Sequence, residues 1–99
     1  MNRSADAAEL RHLLNEFAVA QPDGSRVAAF LETAVASFGG VVGVYEDRFL
    51  SAIGQSRHFL IEFRDADALE SARIHLSGID LGQGRLMVLV PKAEAFPPV

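Results

Sequence analysis

One stretch near the middle of the chain decides the fold class, Arg57-His58-Phe59-Leu60-Ile61-Glu62-Phe63. Side chains along a β-strand point alternately to opposite faces, so the large apolar residues at 59, 61 and 63 share one face. The opposite face carries His58, Leu60 and Glu62. This period of two predicts a strand with one core face and one more polar face.

A helix is predicted before this strand, over Val27–Phe38. It follows the turn-forming residues Pro22-Asp23-Gly24-Ser25, where Asp23 or Ser25 can accept hydrogen bonds from the free N–H groups of the first turn. Apolar residues then recur at three- and four-residue steps and form one stripe: Val27, Phe30, Leu31, Ala34, Val35 and Phe38. Gly39-Gly40 is expected to end the helix, because glycine adopts the left-handed conformation without a Cβ penalty.

A second helix is predicted after the strand, over Ala68–Ser77. Asp67 and Glu70 stand three residues apart, the spacing of a capping box, in which side chains satisfy free N–H groups of the first turn. The apolar positions again fall on one face: Leu69, Ala72 and Leu76. Gly78 is expected to stop this helix.

Two further strands are predicted. Val41–Tyr45 is rich in β-branched residues and follows the glycine pair; a turn at Glu46-Asp47-Arg48 separates it from an extension over Phe49–Ile53. The last strand, Arg85–Val90, follows a turn at Gly82-Gln83-Gly84.

The segment Ala5–Gln21 supports two predictions. Helical spacing relates Leu10, Leu13, Leu14 and Phe17, whereas strand-like alternation relates Leu13, Asn15, Phe17 and Val19. A strand over Leu13–Ala20 gives the order βαββαβ, the ferredoxin-like arrangement, and a helix there gives ααββαβ. In both cases we expect an α+β fold with an antiparallel sheet.

Ninety-nine residues with 49% hydrophobic and 22% charged side chains are typical of a single globular domain. We therefore expect one domain over 1–99, with flexible ends at 1–8 and 92–99. The chain has no cysteine, which excludes disulfides, thiol catalysis and thiolate metal sites. The histidines and carboxylates lack the spacings typical of metal ligands, so neither a metal nor a cofactor is expected.

Charge and hydropathy limit the partners. A net charge of −4, with the arginines scattered along the chain, disfavours nucleic acid, whose phosphates are negative. The N-terminal residues lack the apolar core of a secretory signal, and the longest strongly apolar run, Leu86–Val90, is too short to span a bilayer as a helix. We therefore expect a cytoplasmic protein without a membrane partner.

The chain resembles small bacterial proteins of the dimeric α/β-barrel superfamily, whose better-known relatives are the antibiotic-biosynthesis monooxygenases and the YciI-like proteins. The resemblance runs from about Phe17 to Leu76. Its most specific parts are Gly39-Gly40 after the first helix and the passage Ile61-Glu62-Phe63 followed by Asp65. It implies a homodimer whose two sheets face each other, with a small-molecule cavity in each subunit, either between the sheet and the helices or within the barrel.

Three side chains are candidates for binding a ligand: Glu62, His58 and Tyr45. Glu62 and His58 share a strand face but lie about 13 Å apart along it, so they cannot bond each other. Glu62 is a candidate acid or base, or a ligand for a cation; the alternative is that it pairs with an arginine from a neighbouring strand. Tyr45 can donate a hydrogen bond to a bound carbonyl, or direct its hydroxyl to water.

Two classes of function stay open, and no catalytic residue is assigned. The resemblance to dimeric-barrel proteins implies a ligand-binding or degradative, monooxygenase-like protein that acts without metal on a small apolar or aromatic metabolite. The lack of tryptophan departs from the monooxygenase pattern. The alternative is a non-catalytic homo-oligomeric module whose interior is filled by side chains.

The last strand independently predicts self-association. Leu86-Met87-Val88-Leu89-Val90 does not alternate between apolar and polar residues, so both of its faces are expected to be shielded from water. Helices on one side of a sheet cover only one face. The other face requires a second copy of the chain or, if the N-terminal segment is helical, that helix folded across it.

Overall fold

The computed structural model describes residues 3–21 and 24–92. Its elements are α1 (Arg3–Val19), α2 (Ser25–Ala36), β1 (Val41–Glu46), α3 (Arg48–Ile53), β2 (Ser56–Phe63), α4 (Ala66–Leu76), β3 (Ile79–Gly82) and β4 (Arg85–Pro91). The strands form one antiparallel sheet in the order β1-β2-β4-β3. The predicted α+β class with an antiparallel sheet is confirmed, and the architecture is compatible with a ferredoxin-like fold.

The hydrophobic core lies on one face of the sheet, the core face, under α1, α2 and α4. The strands contribute Phe59, Ile61, Phe63, Leu86, Val88 and Val90. The helices contribute Leu14, Ala18, Val27, Leu31, Val35, Ala68, Leu69, Ala72 and Leu76. The alternation predicted for β2 is therefore confirmed, and one apolar cluster joins the three helices to the same side of the sheet.

The N-terminal segment is a helix, so the strand over Leu13–Ala20 is wrong and the helical alternative is right. Leu14 and Ala18 are fully buried and stand four residues apart, a spacing that places both on one face of a helix. A first strand would have to pair centrally in the sheet, but β4 takes that central place beside β2. α1 begins at Arg3, within the segment 1–8 expected to be a flexible end; residues 1–2 and 93–99 lie outside the described part.

The predicted strand extension over Phe49–Ile53 is also wrong, because the chain forms α3 there. The Asp47 carboxylate caps this helix by accepting a hydrogen bond from the Leu50 N–H at 3.0 Å. α3 takes the place where β1 would have continued along β2. The Ser51 hydroxyl accepts from the His58 N–H at 2.9 Å, which supplies the partner that a neighbouring strand would have offered.

The ends of α2 and α4 are set by particular residues. Gly39 and Gly40 both have positive φ, 81° and 67°, as predicted for the end of α2. The N-cap of α4 is Asp65, whose side chain accepts from the Asp67 N–H, so Asp67 is not the cap. At the other end Ser77 takes the left-handed conformation, and Gly78 leaves room for Leu86.

The predicted turn at Gly82-Gln83-Gly84 joins β3 to β4, and all three residues have positive φ. Strand β3, over Ile79–Gly82, was not predicted, because its residues are all exposed and carry no burial pattern. It forms one edge of the sheet and β1 forms the other.

Candidate functional site

The sheet surface opposite the core, the open face, carries the residues that alternate with the core residues. Directly paired residues of antiparallel strands share a face, so the register defines this surface. A central row crosses all four strands: Tyr45, Leu60, Met87 and Ile79. On one side of the row Glu62 pairs with Arg85, and on the other side His58 pairs with Leu89.

Two of the three predicted site residues contact each other on this face. Glu62 lies opposite Gly43, and Tyr45 lies opposite Leu60, so the two side chains meet diagonally across β1 and β2. The Tyr45 hydroxyl donates a hydrogen bond to Glu62 Oε1 at 3.1 Å. The Tyr45 hydroxyl is therefore directed to a carboxylate of its own chain, and among the described residues Glu62 is held by a phenol rather than by an arginine.

Gly43 is a residue of this site that the sequence analysis missed. A Cβ at this position would lie 2.7 Å from the Tyr45 hydroxyl oxygen and 3.0 Å from Cζ. The tyrosine side chain therefore lies back over Gly43 to reach Glu62. The sequence signal is a glycine inside a β-branched run, which is typical of a bulge or a close approach, and the register of β1 shifts between Val41 and Gly43.

The contact with Glu62 changes the acidity of the tyrosine. The hydrogen bond to the Glu62 carboxylate raises the pKa of Tyr45 above its ordinary value of 10.0, and the negative charge of the carboxylate adds to the effect. Ionising the phenol would break the bond and place two negative charges together. Tyr45 is therefore a hydrogen-bond donor at neutral pH and does not act as a phenolate there.

His58 is held by its backbone at the other end of the open face. Its N–H donates to the Ser51 hydroxyl, and its carbonyl accepts from the Asp47 N–H at 2.8 Å. Its ring Nδ1 lies 3.2 Å from the Ser56 carbonyl oxygen. Leu60 stands between His58 and Glu62 on the strand, so the chain does not bring the histidine to the Tyr45–Glu62 pair.

Two other groups of polar residues lie away from this face. An exposed pair on α1 joins His12 Nε2 to Glu16 at 3.3 Å. A cavity of about 570 Å³ beside the β3–β4 turn is lined in part by Arg64, Glu70 and Asp80, and contains none of the predicted site residues. Among residues 3–21 and 24–92 no cluster of three or more histidines and carboxylates is arranged to hold a metal ion.

No protein-family model, curated protein sequence or solved structure matches the chain. The resemblance to dimeric α/β-barrel proteins therefore stays a prediction. In the described part of the chain, no helix has the length and hydropathy needed to cross a bilayer.

Proposed function

We propose that the protein is a self-associating module in which the open faces of two copies pack against each other. The observation that carries this proposal is the apolar central row across the open face. Leu60 and Met87 lie at its centre on the two inner strands, and Tyr45 and Ile79 flank them with exposed fractions of 50% and 51%.

The open face is too apolar for a surface that stays in water. An antiparallel sheet with one solvated face alternates between apolar and polar residues. In β4 the residues between the buried positions are Met87 and Leu89, both apolar and only partly buried. Packing them against a second open face removes them from water on both protomers at once.

The alternative is that an N-terminal helix folds across the open face, and the position of α1 excludes this for α1. Leu14 and Ala18 belong to the cluster on the core face. The Arg11 guanidinium holds α1 there by donating to the Leu76 and Leu89 carbonyls, each at 2.9 Å. Within the described residues α1 therefore leaves the open face free.

The size of the open face suits a weak dimer. Four strands at roughly 4.8 Å spacing and seven residues at roughly 3.3 Å each cover about 400 Å² in projection. Two such faces, with the relief of their side chains, bury about 1,000 Å² in total, the lower limit for specific interfaces. We therefore expect a dimer that dissociates on dilution through the micromolar range.

Light scattering on a size-exclusion column tests this proposal. The mass of the wild-type protein is expected to rise from 10.7 kDa toward twice that value as the concentration increases. Met87→Glu places a charge in the central row and should hold the protein at the monomer mass. Ile74→Glu is the matched control, because Ile74 is 58% exposed on α4, away from the open face.

A wild-type mass of 10.7 kDa at every concentration would overturn the proposal. The open face would then be exposed to water or covered by residues 93–99. Shortening the chain to residues 1–92 separates these two outcomes, because removing a covering segment should make the shortened chain self-associate. Loss of dimer in both Met87→Glu and Ile74→Glu would place the interface elsewhere.

A second candidate function is binding of a small apolar or aromatic molecule between the two sheets. It is favoured by the Tyr45–Glu62 pair, which places one phenol and one carboxylate beside an otherwise apolar row. A thermal-shift screen of small organic acids, phenols and amines tests it, since a ligand at 100 times its Kd adds about 2.7 kcal/mol of stability. The shift should fall in Glu62→Gln and Tyr45→Phe and persist in His12→Ala, whose ring is exposed on α1.

A further inference from the structure

We infer that two copies meet about a two-fold axis that lies between the sheets and runs parallel to the strands, between β2 and β4. Glu62 of each protomer then faces Arg85 of the partner subunit. This inference rests on the proposed self-association and specifies its geometry. The surface it describes is complete only with the second copy, because each carboxylate takes its ion-pair partner from the other chain.

The position of the axis follows from the order of the strands. In the sheet β1-β2-β4-β3 the midline falls between β2 and β4. A two-fold axis along that midline lays β2 of one protomer over β4 of the other and leaves positions along the strands unchanged. Within one sheet, each residue of β2 pairs with a particular residue of β4. Across the axis, the same β2 residue faces the partner's copy of that β4 residue.

The register turns this arrangement into specific contacts. Leu60 pairs with Met87 in the sheet, so across the axis Leu60 lies over the partner's Met87. At one end Glu62 lies over the partner's Arg85, and at the other His58 lies over the partner's Leu89. We call the first of these the charged end. Two carboxylates and two guanidinium groups meet there in an alternating square of zero net charge.

The charged residues favour this axis over the other possible two-fold axis in the plane between the sheets. An axis perpendicular to the strands, along the central row, would place Glu62 over the partner's His58 and Arg85 over the partner's Leu89. The arginine would then lie over an apolar residue of the partner, beside only the Glu62 of its own sheet, with which it forms no ion pair within one protomer. Burying a charge without an ion-pair partner is costly. The parallel axis gives every charged residue of the open face an opposite charge.

The state of the two side chains in one protomer agrees with this assignment. Arg85 takes part in neither ion pair of the described part of the chain, which are His12–Glu16 and Glu70–Arg73. The hydrogen bond from Tyr45 uses Oε1 of Glu62 and leaves Oε2 to accept from an arginine. Glu62 is thus oriented by its own chain, and an arginine can complete its hydrogen bonding.

Opposite charge reversals test the axis. Glu62→Arg gives a charged end with four cations in a homodimer, and Arg85→Glu gives one with four anions. Each variant alone should dimerise at least tenfold more weakly than the wild type. An equimolar mixture should recover a dimer, because every cation of one chain then faces an anion of the other. Analytical ultracentrifugation measures the masses, and circular dichroism of each variant verifies that it is folded.

Recovery of the dimer only in the mixture supports the parallel axis. Two variants that remain monomeric when mixed overturn it, because the charged end then faces another surface. Variants that dimerise as well as the wild type also overturn it. A wild-type protein that is monomeric instead overturns the proposed self-association itself, so the two failures are distinguishable.

A second measurement uses the end of the open face opposite the charged end. The chain has no cysteine, so His58→Cys introduces a single thiol. With sheets about 10 Å apart and adjacent strands about 5 Å apart, the parallel axis sets the two position-58 backbones about 11 Å apart, whereas the perpendicular axis sets them about 17 Å apart. A bis-maleimide of about 11 Å reach should cross-link His58→Cys with itself. Cross-linking only after mixing with Glu62→Cys would contradict the inference.

Discussion

The core face and the open face of the sheet are built from alternate residues of the same two inner strands, and they differ in what covers them. In β2, Phe59 and Ile61 are fully buried under helices, while Leu60 between them is only partly buried. Both faces are apolar at their centre. An apolar residue in a strand therefore does not by itself indicate which side of a sheet the chain covers.

The two faces also differ in where their polar groups lie. The open face places its charged residues at one end and its histidine at the other, around an apolar row. On the core face the one buried charged residue among those described is Arg57, whose guanidinium donates to the Gln21 carbonyl at 3.1 Å. A polar border around an apolar centre is the usual composition of an interface.

Neighbouring residues of β2 on the two faces should differ strongly in the free energy of unfolding that is lost when each is replaced by alanine. Ile61→Ala removes a fully buried side chain and should lower the free energy of unfolding by about 2–5 kcal/mol. Leu60→Ala should cost well under half as much in the monomer, because Leu60 is partly exposed there. Urea unfolding of dilute samples measures both values. Equal losses would show that the open face is covered within one chain.

A smaller effect is expected at Arg11, which ties α1 to the core side of the sheet. Arg11→Met keeps most of the apolar stem and removes the hydrogen bonds to Leu76 and Leu89, so stability should fall by about 1–3 kcal/mol. The dimer dissociation constant should stay within about twofold of the wild-type value. A dimer strengthened or abolished by this change would mean that α1 contributes to the open face instead of lying wholly on the core side.

The smallest effect concerns Tyr45 and needs only absorbance. The chain has one tyrosine and no tryptophan, so alkaline titration of the phenol reports this side chain alone. The pKa of Tyr45 should lie above 10.0 in the wild type and fall toward that value in Glu62→Gln. Gly43→Ala should have the same effect by displacing the ring from Glu62. Three indistinguishable titration curves would contradict the hydrogen bond.

The raised pKa of Tyr45 also determines the direction in which the stability of the protein changes with pH. A pKa raised in the folded state means that the protonated phenol is favoured by folding. This stabilisation is fully present below pH 10 and is lost as the pH rises through the folded pKa of Tyr45. Glu62→Gln should flatten that alkaline decline in thermal stability.

Local signals in the sequence predicted the elements whose burial follows from their own pattern. The alternation of β2 is contained in one segment of the sequence, as are the apolar stripe of α2 and the glycines that end this helix. The structure contains all three features. The strand predicted at Leu13–Ala20 failed because the choice depended on which strand fills the centre of the sheet. That choice is made by β4, which lies about seventy residues further along the chain.

The site was predictable only in part, for a related reason. The alternation of β2 placed His58 and Glu62 on the open face correctly. Their partners depend on the register between strands, which no single segment encodes. The contact from Tyr45 to Glu62 requires the bulge near Gly43, and the helix α3 beside His58 requires the Asp47 cap, where the sequence pattern predicted only a turn.

Burial of the open face between two copies can be tested directly by the rate at which hydrogen peroxide oxidises Met87. Free methionine added to both samples serves as the reference. If two copies cover the open face, Met87 oxidises several-fold more slowly in concentrated protein than in dilute protein, while the rate of free methionine does not change. A Met87 rate that is the same at both concentrations would contradict this burial.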